Sequence, residues 1–143
     1  MNNKVSTMNG RIDYVDLETV YTLRHTVMYP FDSRNRVFVP GDHEAVHYGY
    51  FLDNQCVSVL SVFKTDSAYQ IRKFATLTSY QNHGIGTALL NYIIEQYSGT
   101  LLLNARIEKV SFYQKFGFES YGHPHDKNGH TYLKMIRHDS IKK

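Results

Sequence analysis

From Ala68 to Gly99 the chain spells a strand, a polar turn and an amphipathic helix without a break: AYQIRKFATL, then TSYQNHGIGT, then ALLNYIIEQYSG. A strand that runs straight into a helix commits this region to a layered α/β architecture, because the helix must fold back across the sheet. Ile85, Leu89, Tyr92 and Ile93 share one helix face, so the helix packs on the sheet, and Ser98-Gly99 ends it. The strand closes near Leu77, which leaves Gln81 to Thr87 as the turn. Such a turn presents unpaired backbone N–H groups at the positive end of a helix dipole. Gly84 and Gly86 let a bulky anion approach that backbone, so a phosphate or pyrophosphate is favoured. Local rules remove two phosphate binders. A P-loop needs Lys-Ser/Thr after its last glycine, and here Thr87-Ala88 follows Gly86. A dinucleotide fingerprint needs a glycine at position 89, which is Leu89. On these residues alone, a helix start with two permissive glycines and no ligand stays open.

The other elements arrange themselves around this unit. RIDYVD reads as a short first strand. DLETVYTLRHTVMYP reads as a helix capped by Asp16, with Glu18 and Thr19 in its first turn and Pro30 as its stop. Leu17, Val20, Tyr21, Val27 and Met28 fall on one face. Residues 29–45 are polar, with two prolines and a glycine; this is a long loop, with room for one helical turn, and long loops in compact domains tend to be functional. VHYGYFLDNQCVSVLSVFK reads as two strands joined at Asp53-Asn54. The second, Cys56 to Phe63, is apolar at nearly every position and belongs in the centre of a sheet. TLLLNA is a further strand, RIEKVSFYQKF a helix stopped by Gly117, and the remainder a strand, a His/Gly/Asn turn region and a last strand. The order β-α-loop-β-β-β-α-β-α-β-β predicts an α/β fold with a mixed central sheet flanked by helices, not a strictly alternating doubly wound one.

The 143 residues suit one domain with a single core. Twelve tyrosines and eight phenylalanines exclude a disordered chain. A formal charge of +3 suits an anionic ligand but is too small to argue for nucleic acid. The single cysteine, Cys56, rules out an intramolecular disulfide framework and points to a reducing compartment. MNNKVSTMNGRIDY contains no apolar leader core, and no segment approaches the roughly 18 apolar residues of a membrane span. A cytoplasmic protein without a membrane partner is expected, with loose ends at the first residues and at Lys142-Lys143.

The pattern Gln81-x-x-Gly84-x-Gly86-Thr87, preceded by the strand IRKFAT, resembles the acetyl-CoA signature of the GCN5-related N-acetyltransferase (GNAT) superfamily. Downstream, LLLNARIEKVSFYQKFGFES resembles that family's strand, helix and Phe-Tyr-x-x-x-Gly-Phe closure, with Phe112-Tyr113 and Gly117-Phe118 in register. LRHTVMYP and GDHEAVHYGYFLDNQCVSV further upstream resemble a bacterial subgroup, mostly of unassigned substrate. The resemblance covers nearly the whole chain and implies a single N-acetyltransferase domain over 1–143. Two departures stand out. The family's asparagine seven residues before the tyrosine is Arg106 here, and the subgroup's histidine near the end of the last strand is replaced by Tyr132.

What the resemblance implies is acetyl transfer from acetyl-CoA, the co-substrate, to a primary amine of a small molecule or peptide, without a metal. The backbone of Asn82, His83, Gly84, Ile85, Gly86 and Thr87 would bind the pyrophosphate, with the Gln81 side chain nearby. Phe74, Ala75 and Thr76 would pair with the pantetheine arm, and Asn104 would contact it from the next strand. The N–H of Thr76 would polarise the thioester carbonyl, and the neutral amine would attack directly. Tyr113 matches the family's general acid: a phenol near pKa 10 is suited to protonating a thiolate of comparable basicity. The alternative for Tyr113 is mere packing beside Phe112. Glu44, His43 and His47 lie in or beside the acceptor-side loop as candidates for the base. His47 has the suitable intrinsic pKa, against the alternative of a strand-end histidine bonded for structure. Arg34 and Arg36 would meet an anionic acceptor, or else be solvated surface charge. Among eight histidines, His43/His47 and His123-x-His125 lack the partners of a metal site, and Cys56 reads as a buried thiol. Two rival readings are a non-catalytic acetyl-CoA sensor and a basic nucleic-acid-binding module; no nucleic-acid recognition motif appears. A homodimer is an expectation from the family.

Overall fold

A computed structural model describes residues 10–139; the expected loose ends lie outside them. Seven strands, β1 (Gly10–Tyr14), β2 (Val46–Leu52), β3 (Gln55–Lys64), β4 (Tyr69–Thr76), β5 (Thr100–Arg106), β6 (Glu119–Lys127) and β7 (His130–His138), form one mixed sheet in the order β1-β2-β3-β4-β5-β7-β6. Three helices, α1 (Leu17–Met28), α2 (Ile85–Gln96) and α3 (Val110–Gln114), complete the expected element order. β3 is buried at seven successive positions between β2 and β4, as its unbroken apolar run demands. The β2–β3 turn places Asp53 and Asn54 at φ 49° and 70°, the left-handed pair of a tight hairpin.

The helices divide between the two sheet faces. Leu89, Leu90 and Ile93 of α2 pack with Leu60, Val62, Ile71, Leu101, Leu103 and Met135, and Val110, Phe112 and Tyr113 of α3 join that cluster. Burying each aliphatic side chain there contributes about 1.5–3 kcal/mol. On the other face Val20 and Leu23 of α1 meet Cys56, Val59 and Ala75. Asp16 caps α1, accepting from Thr19 N–H at 2.8 Å. The buried face of α1 differs from the expected one: Leu23 and Arg24 are inside, whereas Leu17 and Tyr21 line a cavity of about 690 Å³ shared with Phe38, Val39, Pro40 and His43. Arg24 escapes a hydrophobicity pattern because it is charged, yet it sits one helical turn from Val20 and Val27.

Two ends of elements also differ. The helix expected over RIEKVSFYQKF is only Val110–Gln114, because β5 continues to Arg106 opposite Tyr132 and Ile107–Lys109 forms a 3-10 turn. Gly117, at φ 90°, ends the helix as expected. β6 runs on through the His/Pro segment as an edge strand, where a proline is tolerated. Its register breaks between Tyr121 and His125, and the tight turn is Asn128-Gly129 alone.

Candidate functional site

β4 and β5 are parallel and pair only at Tyr69–Leu101 and Gln70–Leu102. Beyond that point the strands part, and the rest of β4 keeps a partner on one side only, β3. Leu77 N–H bonds Val57 C=O at 2.9 Å on the β3 side. Backbone N–H groups alternate between the two edges of a strand, so those of Thr76 and Phe74 point into the opening. The free edge therefore holds two donors where a long, narrow ligand would lie. Asn104 stands on β5 across the opening, exposed and paired in register with Lys134 of β7.

A bulge on β4 sits at the head of this edge. Arg72 pairs with Ser61 and Ala75 with Val59, so Lys73 and Phe74 together oppose Leu60. Lys73 has φ 57°. Its ammonium bonds the Tyr29 hydroxyl at 2.8 Å on the α1 face. Sequence reading treated IRKFAT as an ordinary strand and missed Lys73. The signal was a lysine where strict alternation after Ile71 calls for an inward residue.

At the other end of the edge, α2 begins at Gly84, which has φ 81° and no side-chain cap. The first helical backbone bond runs from Ala88 N–H to Gly84 C=O at 3.0 Å, so the preceding N–H groups of the turn face outward. Nothing lies within 4 Å of where a Gly84 side chain would begin. Asn82, exposed, also takes a positive φ of 64°. The Gln81 amide donates to Thr76 C=O at 3.0 Å and ties the turn to the end of β4. Thr76 itself is anchored to β3 by a 2.8 Å bond between its hydroxyl and that of Ser58. A Cβ on Gly86 would sit 3.7 Å from Phe74 Cζ and 3.9 Å from Phe112 Cζ. The strand edge, the helix start and α3, far apart in sequence, thus converge around Gly86.

Tyr113 follows Phe112 on α3. Its ring packs edge-on against Phe112 and Phe118. Burial pushes its phenol up to about 12, so it stays protonated at any ordinary pH.

The acceptor-side candidates scatter. His47 is buried, and both ring nitrogens are engaged: Nδ1 with Ser61 Oγ at 2.6 Å and Nε2 with the Asp42 carbonyl at 2.9 Å. It belongs to a network centred on Arg24, fully buried, whose guanidinium grips both Asp42 carboxylate oxygens at 2.9 and 3.0 Å and donates to Val37 C=O and Ser61 Oγ. Burial alone would raise the Asp42 carboxyl; the Arg24 and Val39 hydrogen bonds, with the Arg24 and His47 charges, hold it below its ordinary value. This network pins the loop 37–42 to α1 and the sheet. His43 and Glu44 are exposed on that loop, and His43 lines the cavity beside α1. Arg34 is paired with Glu18; Arg36 lies 3.8 Å from Asp32 and stacks on Tyr29. Cys56 is buried, which pushes its thiol up to about 11. Among the described residues no cluster of His, Cys, Asp or Glu is placed to hold a metal ion, and no helix is long and apolar enough to cross a membrane.

A half-paired strand leading into an uncapped, glycine-led helix defines an α/β scaffold with one open strand edge, and solved structures share its fold. The ribosomal-protein-S18-alanine N-acetyltransferase of Escherichia coli superposes with a TM-score of 0.74 at 14% identity, over 94% of this chain and 96% of that one. A GNAT family acetyltransferase from Elizabethkingia anophelis with acetyl-CoA bound gives 0.70 at 19% identity, over 92% and 99%. In sequence, the uncharacterised N-acetyltransferase YitI of Bacillus subtilis (strain 168) is 27% identical over 128 residues, 80% of this chain and 86% of that protein. Residues 12–138 match the acetyltransferase (GNAT) domain, and the chain belongs to that family. It is an N-acetyltransferase with acetyl-CoA as its co-substrate. The residues fit that molecule: a free strand edge for an amide-rich arm, and outward N–H groups at an open glycine turn for its phosphates.

Proposed function

We propose that the chain transfers acetyl directly to a primary amine of a small molecule or peptide at the mouth of the β4–β5 opening. The parting of β4 from β5 after two paired positions carries this reading. Acetyl-CoA supplies the activated acetyl group as a thioester. Phe74, Ala75 and Thr76 hold its arm along the free edge, with Asn104 opposite. The backbone from Asn82 to Thr87 holds the pyrophosphate, and Gln81 keeps that turn closed against Thr76. The N–H of Thr76 polarises the carbonyl under attack and steadies the developing oxyanion. The alternation of the strand adds the N–H of Phe74 on the same edge, nearer the bulge.

Tyr113 gives its proton, or a hydrogen bond, to the departing sulfur. Its raised pKa makes it a weak acid but keeps the proton available throughout the working range. His47 serves as a structural link, since both its nitrogens are spent inside the Arg24 network. Glu44 and His43 remain the groups near the acceptor side that could take the amine proton through water.

The test is thiol release with a panel of amines, comparing the native chain with Tyr113→Phe and measuring acetyl-CoA affinity in parallel. The substitution is expected to lower kcat by about 100-fold or more, with affinity unchanged. Equal turnover by the variant would remove Tyr113 from the mechanism, and a stable acetylated protein intermediate would contradict direct attack.

A further inference from the structure

We propose that the amine acetylated by this chain also carries a carboxylate, and that Lys73, with Arg36 and Arg72, recognises it. The inference rests on the acetyl-transfer reading above. The β4 bulge is the starting point. It turns two consecutive cationic residues, Arg72 and Lys73, to the face that α1 covers: Arg72 pairs with Ser61, which is bonded to Arg24 of α1, and Lys73 reaches Tyr29 just beyond the end of α1. Lys73 is one residue, about 3.3 Å along the strand, from Phe74 and the free edge. Its ammonium lies 5.3 Å from the centre of the Tyr29 ring, and the Arg36 guanidinium lies 4.7 Å from that same centre. Two cations thus share one phenol at the head of the cleft.

Only Arg36 of this group has an acid beside it among the described residues. Arg34 is drawn off to Glu18, and Asp32 reaches only Arg36, at 3.8 Å. Among the described residues no carboxylate lies within ion-pair distance of Lys73 or Arg72. Across the opening, Lys134, the register partner of Asn104, adds a further positive charge.

Such a field selects the acceptor in two ways. It repels a bare ammonium and favours an amine with its own negative group, which Lys and Arg bind through charge-assisted hydrogen bonds. It also lowers the pKa of the bound ammonium, because a neighbouring like charge disfavours the protonated form. The neutral amine needed for attack is then more populated, at a site where the buried histidine offers no free nitrogen.

The experiment measures thiol release from acetyl-CoA with free amino acids, their carboxamides and spermidine, using the native chain, Lys73→Met and Lys73→Arg, with calorimetry of acetyl-CoA binding alongside. Expected are kcat/KM values roughly tenfold or more higher for the carboxylates than for their carboxamides. Lys73→Met should lose that preference, with KM rising far more for the carboxylates than for their carboxamides, and Lys73→Arg should keep it. The inference is overturned if carboxamides or spermidine are used as well as the carboxylates, if no carboxylate-bearing amine turns over, or if the preference survives Lys73→Met. Any of these while some amine in the panel is acetylated sinks the inference alone; turnover of no amine at all sinks the acetyl-transfer reading with it. Absence of acetyl-CoA binding sinks the acetyl-transfer reading with it.

Discussion

Gly84 and Gly86 look alike in the sequence and behave differently in the fold. Gly84 sits at φ 81° with open space around it. A side chain there meets no clash, only the left-handed conformational cost. Gly84→Ala is expected to cost about 1–2 kcal/mol in denaturant unfolding. Gly86 has ordinary backbone geometry, and a methyl would make normal contacts with Phe74 and Phe112 at 3.7 and 3.9 Å. Gly86→Ala is therefore expected to leave stability equal or slightly raised, since alanine is the better helix former. Equal losses from both substitutions would contradict this distinction. Tyr113 yields a second prediction. With its phenol pushed up to about 12 by burial, the protonated, proton-donating form persists far above neutrality. The pH profile of kcat is expected to fall on the acid side, as the amine protonates, and to show no basic loss up to about pH 10. A basic limb centred near pH 8 would assign the titrating acid to another group.

Among the elements, the loop before β2 depends most on a few residues. Among the described residues Asp42 is the one charge partner of buried Arg24, so Asp42→Ala leaves a guanidinium stranded in the core. A loss of about 3–5 kcal/mol is expected from chemical denaturation, whereas replacing exposed Glu44 should change little. The depressed Asp42 pKa also sets a pH dependence. A carboxylate depressed in the folded state stabilises fully above its unfolded pKa, near 3.9, and that stability is lost as pH falls through the folded value. Acid unfolding of the native chain should therefore steepen below about pH 4, and much less in Asp42→Asn. These buried polar links were the part of the molecule least legible in the sequence. The element order, the β2–β3 turn and the central place of β3 follow from periodicity and turn chemistry, which are local. Arg24, Asp42 and Ser61 join only through tertiary contact, and a charged residue on a buried helix face contradicts the pattern used to find that face. Lys73 was obscured for the same reason, because a bulge shifts the inside–outside alternation by one position. The length of α3 was misjudged because β5 and its partner β7 claim Arg106 before the helix begins.

Taken whole, the molecule places a strand edge from β4, a turn at the start of α2 and an aromatic pair on α3 around a single opening. The two glycines and the Phe-Tyr pair were legible as motifs; that they meet at Gly86 was not, since only the sheet order brings α3 beside α2. A cavity of about 690 Å³ between α1 and the 38–43 loop offers a competing place for a ligand. An amide NMR titration with acetyl-CoA separates the two. The account predicts that the signals of Phe74, Thr76 and Asn82 through Thr87 shift first and furthest, while those of Leu17, Tyr21 and Phe38 to Gly41 stay in place. Shifts confined to the α1 cavity, with β4 and the α2 turn unmoved, would contradict it.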